Sequence, residues 1–151
     1  MASVVTENII IMIPVFIAMM IFALVANAVA SNYSMQQRTL IINSAENQLA
    51  TTISQLYYTI SQQDMLPCNI TKSTPLPDQI DGQNYSVNGT LNGNVLALTF
   101  NFPGLTVSDT THVNLGPGVH WDSSSVFVST NRQSVIAIQK KSSGELWISF
   151  R

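Results

Sequence analysis

Charged residues are scarce in this chain of 151 residues. Asp, Glu, Lys and Arg make up 9% of it, and the formal net charge is -2, whereas ordinary soluble proteins carry about 25% charged residues. A nucleic-acid-binding surface needs clustered Lys and Arg, which the sequence lacks, so we expect no nucleic-acid partner. The low charge also indicates that much of the surface faces something other than water.

Residues that commonly build reactive sites are nearly missing as well. Cys68 is the single cysteine, which excludes an intrachain disulfide and leaves either a small buried residue or a free thiol. His112 and His120 are the only histidines, and even with Asp122 near the second they form no metal-ligand pattern of known spacing. No nucleophile motif such as Gly-x-Ser-x-Gly occurs. We therefore expect neither an enzyme nor a bound metal or cofactor.

Glycine is absent from the first 81 residues, and one proline, Pro14, precedes Pro67. Residues 8–30 carry no charge, and such a stretch is long enough to cross a hydrocarbon core of about 30 Å as a helix. Because residues 31–63 continue without glycine or proline, the simplest interpretation is one continuous helix. Over residues 8–63 it would be about 84 Å long at roughly 1.5 Å per residue. Such a helix must pack against other copies or stand unsupported.

The distal half of this helix has two different faces. Apolar residues recur there at spacings of three and four, which marks one helical face. This apolar stripe consists of Ile42, Ala45, Leu49, Ile53, Leu56 and Ile60. The other face is mostly Ser, Thr, Asn and Gln, which can be buried between helices at modest cost, so we expect it to meet partner helices. The alternative is a solvent-facing helix packed on its own β domain along one stripe.

After residue 64, turn signals alternate with short runs of strand periodicity. Asn88-Gly89, Asn92-Gly93 and Ser143-Gly144 are the predicted exposed turns. The sequence predicts an α+β fold, in which a long N-terminal hydrophobic helix precedes a C-terminal antiparallel β sandwich or barrel of six or seven strands. The helix occupies 1–65, with an apolar membrane or filament-core part (8–30) and an amphipathic part (31–64), and the β-rich globular domain occupies 66–151.

Four asparagines stand in Asn-x-Ser/Thr sequons. Asn69, Asn84 and Asn88 fall in the β domain, where turns and strand ends should be exposed, and they are the candidate sites of N-glycosylation. Asn32 lies on the helix, and we expect it to be buried and unmodified.

Two residues near the N-terminus have chemistry that affects assembly. Glu7 is the only charge before Arg38, and a carboxylate beside an apolar span is costly unless it finds a cation or stays at the interface. The α-amino group of a neighbouring subunit suits it, although the helix dipole also favours an acid in the first turn. Pro14 frees the carbonyl of Ile10, so we expect a local kink or unwinding there.

An apolar helix, an amphipathic extension and a β domain in this order resemble the type IV filament family, specifically archaeal pilins and archaellins. Residues 15–19 (VFIAM) followed by 20–26 (MIFALVA) are similar to the apolar core segment of archaellins. Glu7 is similar to the acidic residue near the mature start of many pilins. No basic residue precedes the apolar span, so either a basic leader has been removed or Met1 is an initiator.

The resemblance implies a secreted structural subunit of an extracellular filament for adhesion or surface attachment. The helix would first sit in the cytoplasmic membrane, and the partners would be identical subunits, a prepilin peptidase, an assembly ATPase and its platform protein. An archaellin of a motility filament and a single-pass membrane-anchored binding ectodomain remain alternatives. The residues expected at assembly contacts are Glu7, Pro14, Phe16, Met19, Phe22, Leu49, Ile53, Leu56 and Ile60.

Overall fold

The computed structural model describes residues 2–62, 66–103, 108–131 and 133–151, with side chains from Met12 onward. One helix, α1 (Ala2–Ser61), precedes the strands. The described strands are β1 (Asn69–Ser73), β2 (Ser86–Asn92), β3 (Val95–Asn101), β4 (Ser108–Asn114), β5 (Val119–Trp121), β6 (Val126–Val128), β7 (Val135–Lys140) and β8 (Leu146–Phe150). The predicted α+β class, a long apolar N-terminal helix followed by a mainly antiparallel β domain, is confirmed.

The chain divides into two compact units, Met1–Leu40 and Ile41–Arg151. The first unit is the N-terminal part of α1, and the second contains the rest of α1 and all described strands. The predicted boundary at residue 65 follows the change of secondary structure. The two compact units instead divide within the helix, because its apolar stripe packs in the β core from Ile42 onward.

Eight described strands form two four-stranded sheets. The first sheet has the order β1-β7-β8-β5 and the second β4-β3-β2-β6. All neighbours pair antiparallel except β5 and β8, which are parallel. The predicted six or seven strands leave out β5, because its three residues between Gly118 and Asp122 are too few to show a period of two. Each of the other seven described strands overlaps a run that the sequence predicts, at residues 68–71, 84–91, 94–102, 105–115, 126–129, 134–140 and 145–150.

The hairpin between β2 and β3 is shifted by one residue from its predicted turn. Asn92 pairs with Val95, so the two-residue loop is Gly93-Asn94 and not Asn92-Gly93. Gly93 has φ 60°, a backbone conformation that side-chain-bearing residues rarely adopt. The sequence therefore located the hairpin correctly and misplaced its register.

The predicted turn at Asn88-Gly89 is wrong, because both residues lie inside β2 and pair with Thr99 and Leu98 of β3. Glycine is required at position 89 because any side chain there would collide with a neighbouring residue. A Cβ on Gly89 would lie 2.3 Å from the indole of Trp121, which projects from β5 of the other sheet. The glycine thus lets the two sheets approach each other closely.

One hydrophobic core joins the inner faces of both sheets to the apolar stripe of α1. Tyr85 is 1% exposed and lies in a cluster of aromatic rings, with centroids 6.0 Å from Phe100, 5.7 Å from Phe102 and 5.8 Å from Phe127. Its hydroxyl donates a hydrogen bond of 2.6 Å to the carbonyl of Pro77, so the one polar atom of the cluster is satisfied. The core therefore holds the distal part of α1 and both sheets as one unit.

Candidate assembly surface

The N-terminal part of α1 presents a long uncovered surface. Every side chain from residue 12 to residue 37 is exposed. Within the described residues, α1 is the one helix that is long and apolar enough to cross a membrane, by length and composition. Apart from the carbonyl of Ile10, which Pro14 leaves without its usual donor, a helix satisfies the backbone hydrogen bonds of its interior, so an apolar surrounding is chemically compatible with it.

Burial would strongly stabilise this apolar surface. Twelve large apolar side chains between residues 12 and 30 are each between 49% and 76% exposed. Removing them from water would contribute on the order of 10–20 kcal/mol by area. Monomeric soluble proteins rarely expose apolar patches of more than a few hundred Å². The surface is therefore suited to a lipid or protein surrounding.

Three predicted assembly residues lie on this surface. Phe16, Met19 and Phe22 are 69%, 66% and 76% exposed. Pro14 lies inside the helix, beside an open apolar notch lined by Met12, Ile13, Phe16 and Ile17. Glu7 belongs to the helical backbone of α1, but its side chain lies outside the described residues. The predicted kink at Pro14 and the pairing of Glu7 remain predictions.

Four other predicted assembly residues have a different place. Leu49, Ile53, Leu56 and Ile60 are between 0% and 7% exposed and pack in the core of their own unit. The prediction that these side chains contact a neighbouring copy directly therefore needs correction. They attach the distal helix to the β sheets of the same chain. The spacing predicted a buried face correctly, and the β domain of the same chain covers it.

The polar face of the distal helix is exposed and almost uncharged. Ser44, Asn47, Gln48 and Thr51 line one side of an open cleft whose other wall is Pro75, with Thr52 at its base. The amide of Gln48 donates a hydrogen bond of 3.3 Å to the hydroxyl of Ser44. Such neutral donors and acceptors can be transferred from water into a helix–helix contact at lower cost than charged groups.

Glu46 is the functional candidate that the sequence did not single out. It is 7% exposed, and its Oε1 atom has no hydrogen-bond partner among the described residues. Burial, and secondarily the charge of Asp109 on β4, raises the pKa of Glu46 from 4.5 to about 7. Helical spacing does indicate the burial of Glu46. It follows Ile42 by four residues and precedes Leu49 by three, so it lies on the apolar stripe.

The three candidate glycosylation sites are all exposed in the β domain. Asn69 begins β1, Asn84 precedes β2, and Asn88 points outward from β2. Asn32 is exposed too in the isolated chain. Its predicted burial therefore depends on contacts between copies.

The two histidines lie in different sheets, His112 on β4 and His120 on β5. In the part of the chain that the structure describes, no group of three or more His, Cys, Asp or Glu side chains is placed to hold a metal ion. Cys68 is a free, partly buried thiol packed against the core.

Comparison with protein-family models, with characterised proteins and with solved structures gives no match for this chain.

Proposed function

We propose that this protein is the structural subunit of an extracellular type IV pilus-like filament that serves adhesion or surface attachment. The apolar N-terminal helices bundle in the filament centre, and the β domains form its surface. The observation that carries the proposal is the uninterrupted exposed face of residues 12–37, which α1 joins without a break to a segment packed in the β unit.

The continuity of α1 favours a filament over a simple membrane anchor. A span of about 20 residues suffices for an anchor, whereas α1 extends over 60 residues with no glycine and no loop. The same helix thus carries the exposed apolar segment and supplies the stripe that packs in the β core. A helix with both roles suits a subunit whose apolar part joins a bundle.

Assembly exchanges one apolar surrounding for another. Subunit helices replace lipid around residues 12–30, so the hydrophobic effect contributes little net driving force to this step. Side-chain packing and polar contacts between helices then determine association. Phe16, Met19 and Phe22 supply the apolar contacts, and Glu7 pairs with the N-terminal amine of a neighbour during docking.

Deletion of residues 1–30 tests the proposal. The full chain, expressed with its own assembly machinery, should leave long threads in sheared cell-surface material under the electron microscope. The shortened chain should sediment as a soluble monomer, because the apolar bundle surface is gone. Long filaments from the shortened chain would contradict the bundle arrangement.

A matched control separates filament packing from membrane anchoring. Residues 12–30 are replaced by a Leu/Ala helix of equal length, which keeps membrane insertion and changes the side-chain shapes. We expect a normal membrane pool of this variant and no threads, because interhelical contacts depend on close packing. If the unmodified chain also leaves no threads, the membrane-anchored ectodomain is the correct function. An archaellin would assemble equally well, and neighbouring genes for a motility motor would identify it.

A further inference from the structure

A small groove lies on the outer face of the first sheet, opposite the face whose Ile136, Ile138 and Ile148 belong to the core. The strand register brings His120 of β5, Trp147 of β8 and Gln139 of β7 side by side across this face. In the next row, Ser149 pairs with Ala137, and these two small residues form the floor of the groove. Small residues beside a tall indole create the depression.

The rim of the groove carries aromatic and polar groups. Trp147, Gln139, Lys141, Arg151 and Asp122 surround a volume of about 210 Å³. Sites for drug-sized ligands occupy roughly 300–1,000 Å³, so this groove admits a single ring-sized group. Its lining combines one aromatic face with donors and acceptors of both charge signs.

Trp147 is held in place from several sides. His120 stacks on the indole with ring centroids 4.9 Å apart and an interplanar angle of 19°. The indole Nε1 faces Glu145 Oε2 at 3.5 Å, and the same carboxyl group approaches His120 Nε2 at 3.9 Å. The partly buried ring is thus oriented before any ligand arrives, which lowers the cost of binding.

The Lys141 side chain lies over the indole of Trp147. Its Nζ lies 4.0 Å from the ring centroid, and the side chain also lines the groove. A cation–π contact at an exposed site contributes about 0.5–1 kcal/mol, so a ligand can displace this flexible side chain easily. Once displaced, the ammonium remains within reach as a hydrogen-bond donor.

Asp122 is fixed as a charged acceptor at the rim. Its Oδ1 accepts hydrogen bonds from the backbone N–H of Ser124 at 3.0 Å and from the Ser124 hydroxyl at 2.6 Å. These bonds, with a smaller contribution from Arg151, lower the pKa of Asp122. The groove is therefore lined by a carboxylate, the Gln139 amide and two cations.

We propose that this groove binds a pyranose unit of a saccharide. The aliphatic face of a sugar ring packs on an indole, and its hydroxyl groups need donors and acceptors around the ring edge, which Gln139, Lys141 and Asp122 supply. The lining mixes the Asp122 carboxylate with two cations, and it sets Trp147 beside small residues. A ligand with both an apolar face and hydroxyl groups therefore fits it better than a bare anion or a purely apolar side chain. The site lies within the second unit and does not depend on polymerisation.

The candidate glycosylation site Asn69 adjoins the groove. Asn69 of β1 is the register partner of Gln139 on the same outer face. A sugar attached to Asn69 is therefore one source of the ligand, and a glycan of a foreign surface is the other. Protein made in a host without N-glycosylation presents the groove without an attached sugar, so added probes then report on the site itself.

Saturation-transfer NMR on the full chain tests the proposal. The protein is held in micelles of a detergent without a sugar head group, and the probes are the methyl pyranosides of glucose, galactose and mannose and methyl glucuronide. We expect transfer to ring protons of at least one probe, with a dissociation constant of about 1 mM, or about -4 kcal/mol. Absence of transfer to all four probes would overturn the proposal.

Three variants assign the signal to the groove. Trp147→Ala and Gln139→Ala should each weaken binding at least tenfold, whereas Trp121→Phe, at the indole between the sheets, should leave it within threefold. Circular dichroism establishes that each variant is folded, and the milder Trp147→Phe replaces Trp147→Ala if that variant unfolds. Unchanged binding in both folded groove variants would overturn the assignment.

If the chain from its native source binds the probes only after enzymatic removal of its N-glycans, its own Asn69 sugar is the occupant.

Discussion

Glu46 places a carboxyl group inside an otherwise apolar stripe of α1. It is buried, it faces the charge of Asp109, and its pKa is raised to about 7. In the unfolded chain the same group ionises near 4.5. Folding therefore favours the protonated form, and stability depends on pH through this residue.

The direction of this dependence follows from the two pKa values. Below about pH 4.5 both states are protonated, and the stabilising contribution is fully present. Between pH 4.5 and 7 only the unfolded state releases its proton, so the free energy of unfolding falls as pH rises. Above pH 7 the loss is complete, and it amounts to about 3 kcal/mol at 1.36 kcal/mol per pH unit.

Glu46→Gln removes the ionisation and keeps the shape of the side chain. We expect the variant to be more stable than the parent by about 2 kcal/mol at pH 8 and by less than about 1 kcal/mol at pH 5. Urea unfolding of the full chain in micelles, followed by tryptophan fluorescence, measures both differences. Gln55→Glu, which adds a carboxylate at an exposed position of the same helix, should change the free energy of unfolding by less than about 0.5 kcal/mol at both pH values. An equal difference at pH 5 and pH 8 for Glu46→Gln would contradict the buried-carboxylate interpretation.

At the residue scale, the sequence predicts burial well where it follows from the helical spacing of apolar residues. It fails where a residue is chosen for the room left by a distant side chain. The spacing of Leu49 and Ile53 predicts burial, and the structure confirms it. Gly89 was predicted to form a turn because Asn-Gly is a strong turn signal. Its true role depends on Trp121, which is 32 residues away in sequence and meets Gly89 only after the sheets pack.

At the scale of elements, α1 performs two tasks with one continuous hydrogen-bonded backbone. Its N-terminal part is exposed, and its distal part supplies six stripe residues to a core shared with two sheets. The same type of apolar residue therefore contributes differently to the free energy of unfolding in the two parts of the helix.

Leu49→Ala and Leu40→Ala compare these parts by an identical chemical change. Leu49 is fully buried, so we expect its truncation to reduce the free energy of unfolding of the second unit by about 2–5 kcal/mol. Leu40 is 69% exposed, and its truncation should change that value by less than about 0.5 kcal/mol. Chemical unfolding in micelles measures both. Similar losses for the two variants would show that the distal helix is not anchored by its stripe.

Element prediction was best where a pattern is long. In β3, partly buried and buried side chains alternate over the whole strand, and Leu96, Leu98 and Phe100 on its inner face are fully buried. β5 has three residues and a parallel partner from the end of the described chain, so no local pattern indicates it. The Trp147 groove depends on β5 and was therefore not predictable from the sequence.

At the scale of the whole molecule, exposure in one chain does not distinguish the four sequons. Asn32, Asn69, Asn84 and Asn88 are all exposed. In the proposed filament, neighbouring helices cover the helical site, and a bulky glycan there would block their close approach. The β domain sites stay on the outer surface.

Mass spectrometry of peptides from intact filaments tests this difference. We expect sugar on at least one of Asn69, Asn84 and Asn88 and none on Asn32. Full occupancy at Asn32 would place that helix face in solvent and contradict its position inside the filament. Unmodified asparagines at all four sites would contradict the glycan prediction alone.

The position of β8 determines when the second unit can fold. β8 is the last described strand to be synthesised, yet it lies between β7 and β5 inside the first sheet. That sheet cannot close until Leu146–Phe150 have left the ribosome, whereas the apolar part of α1 emerges first. The membrane-compatible helix is therefore available for insertion while the strands are still an unfolded chain, and such distant strand pairing forms slowly. In the proposed assembly route, this order of synthesis separates insertion of the helix from closure of the first sheet in time.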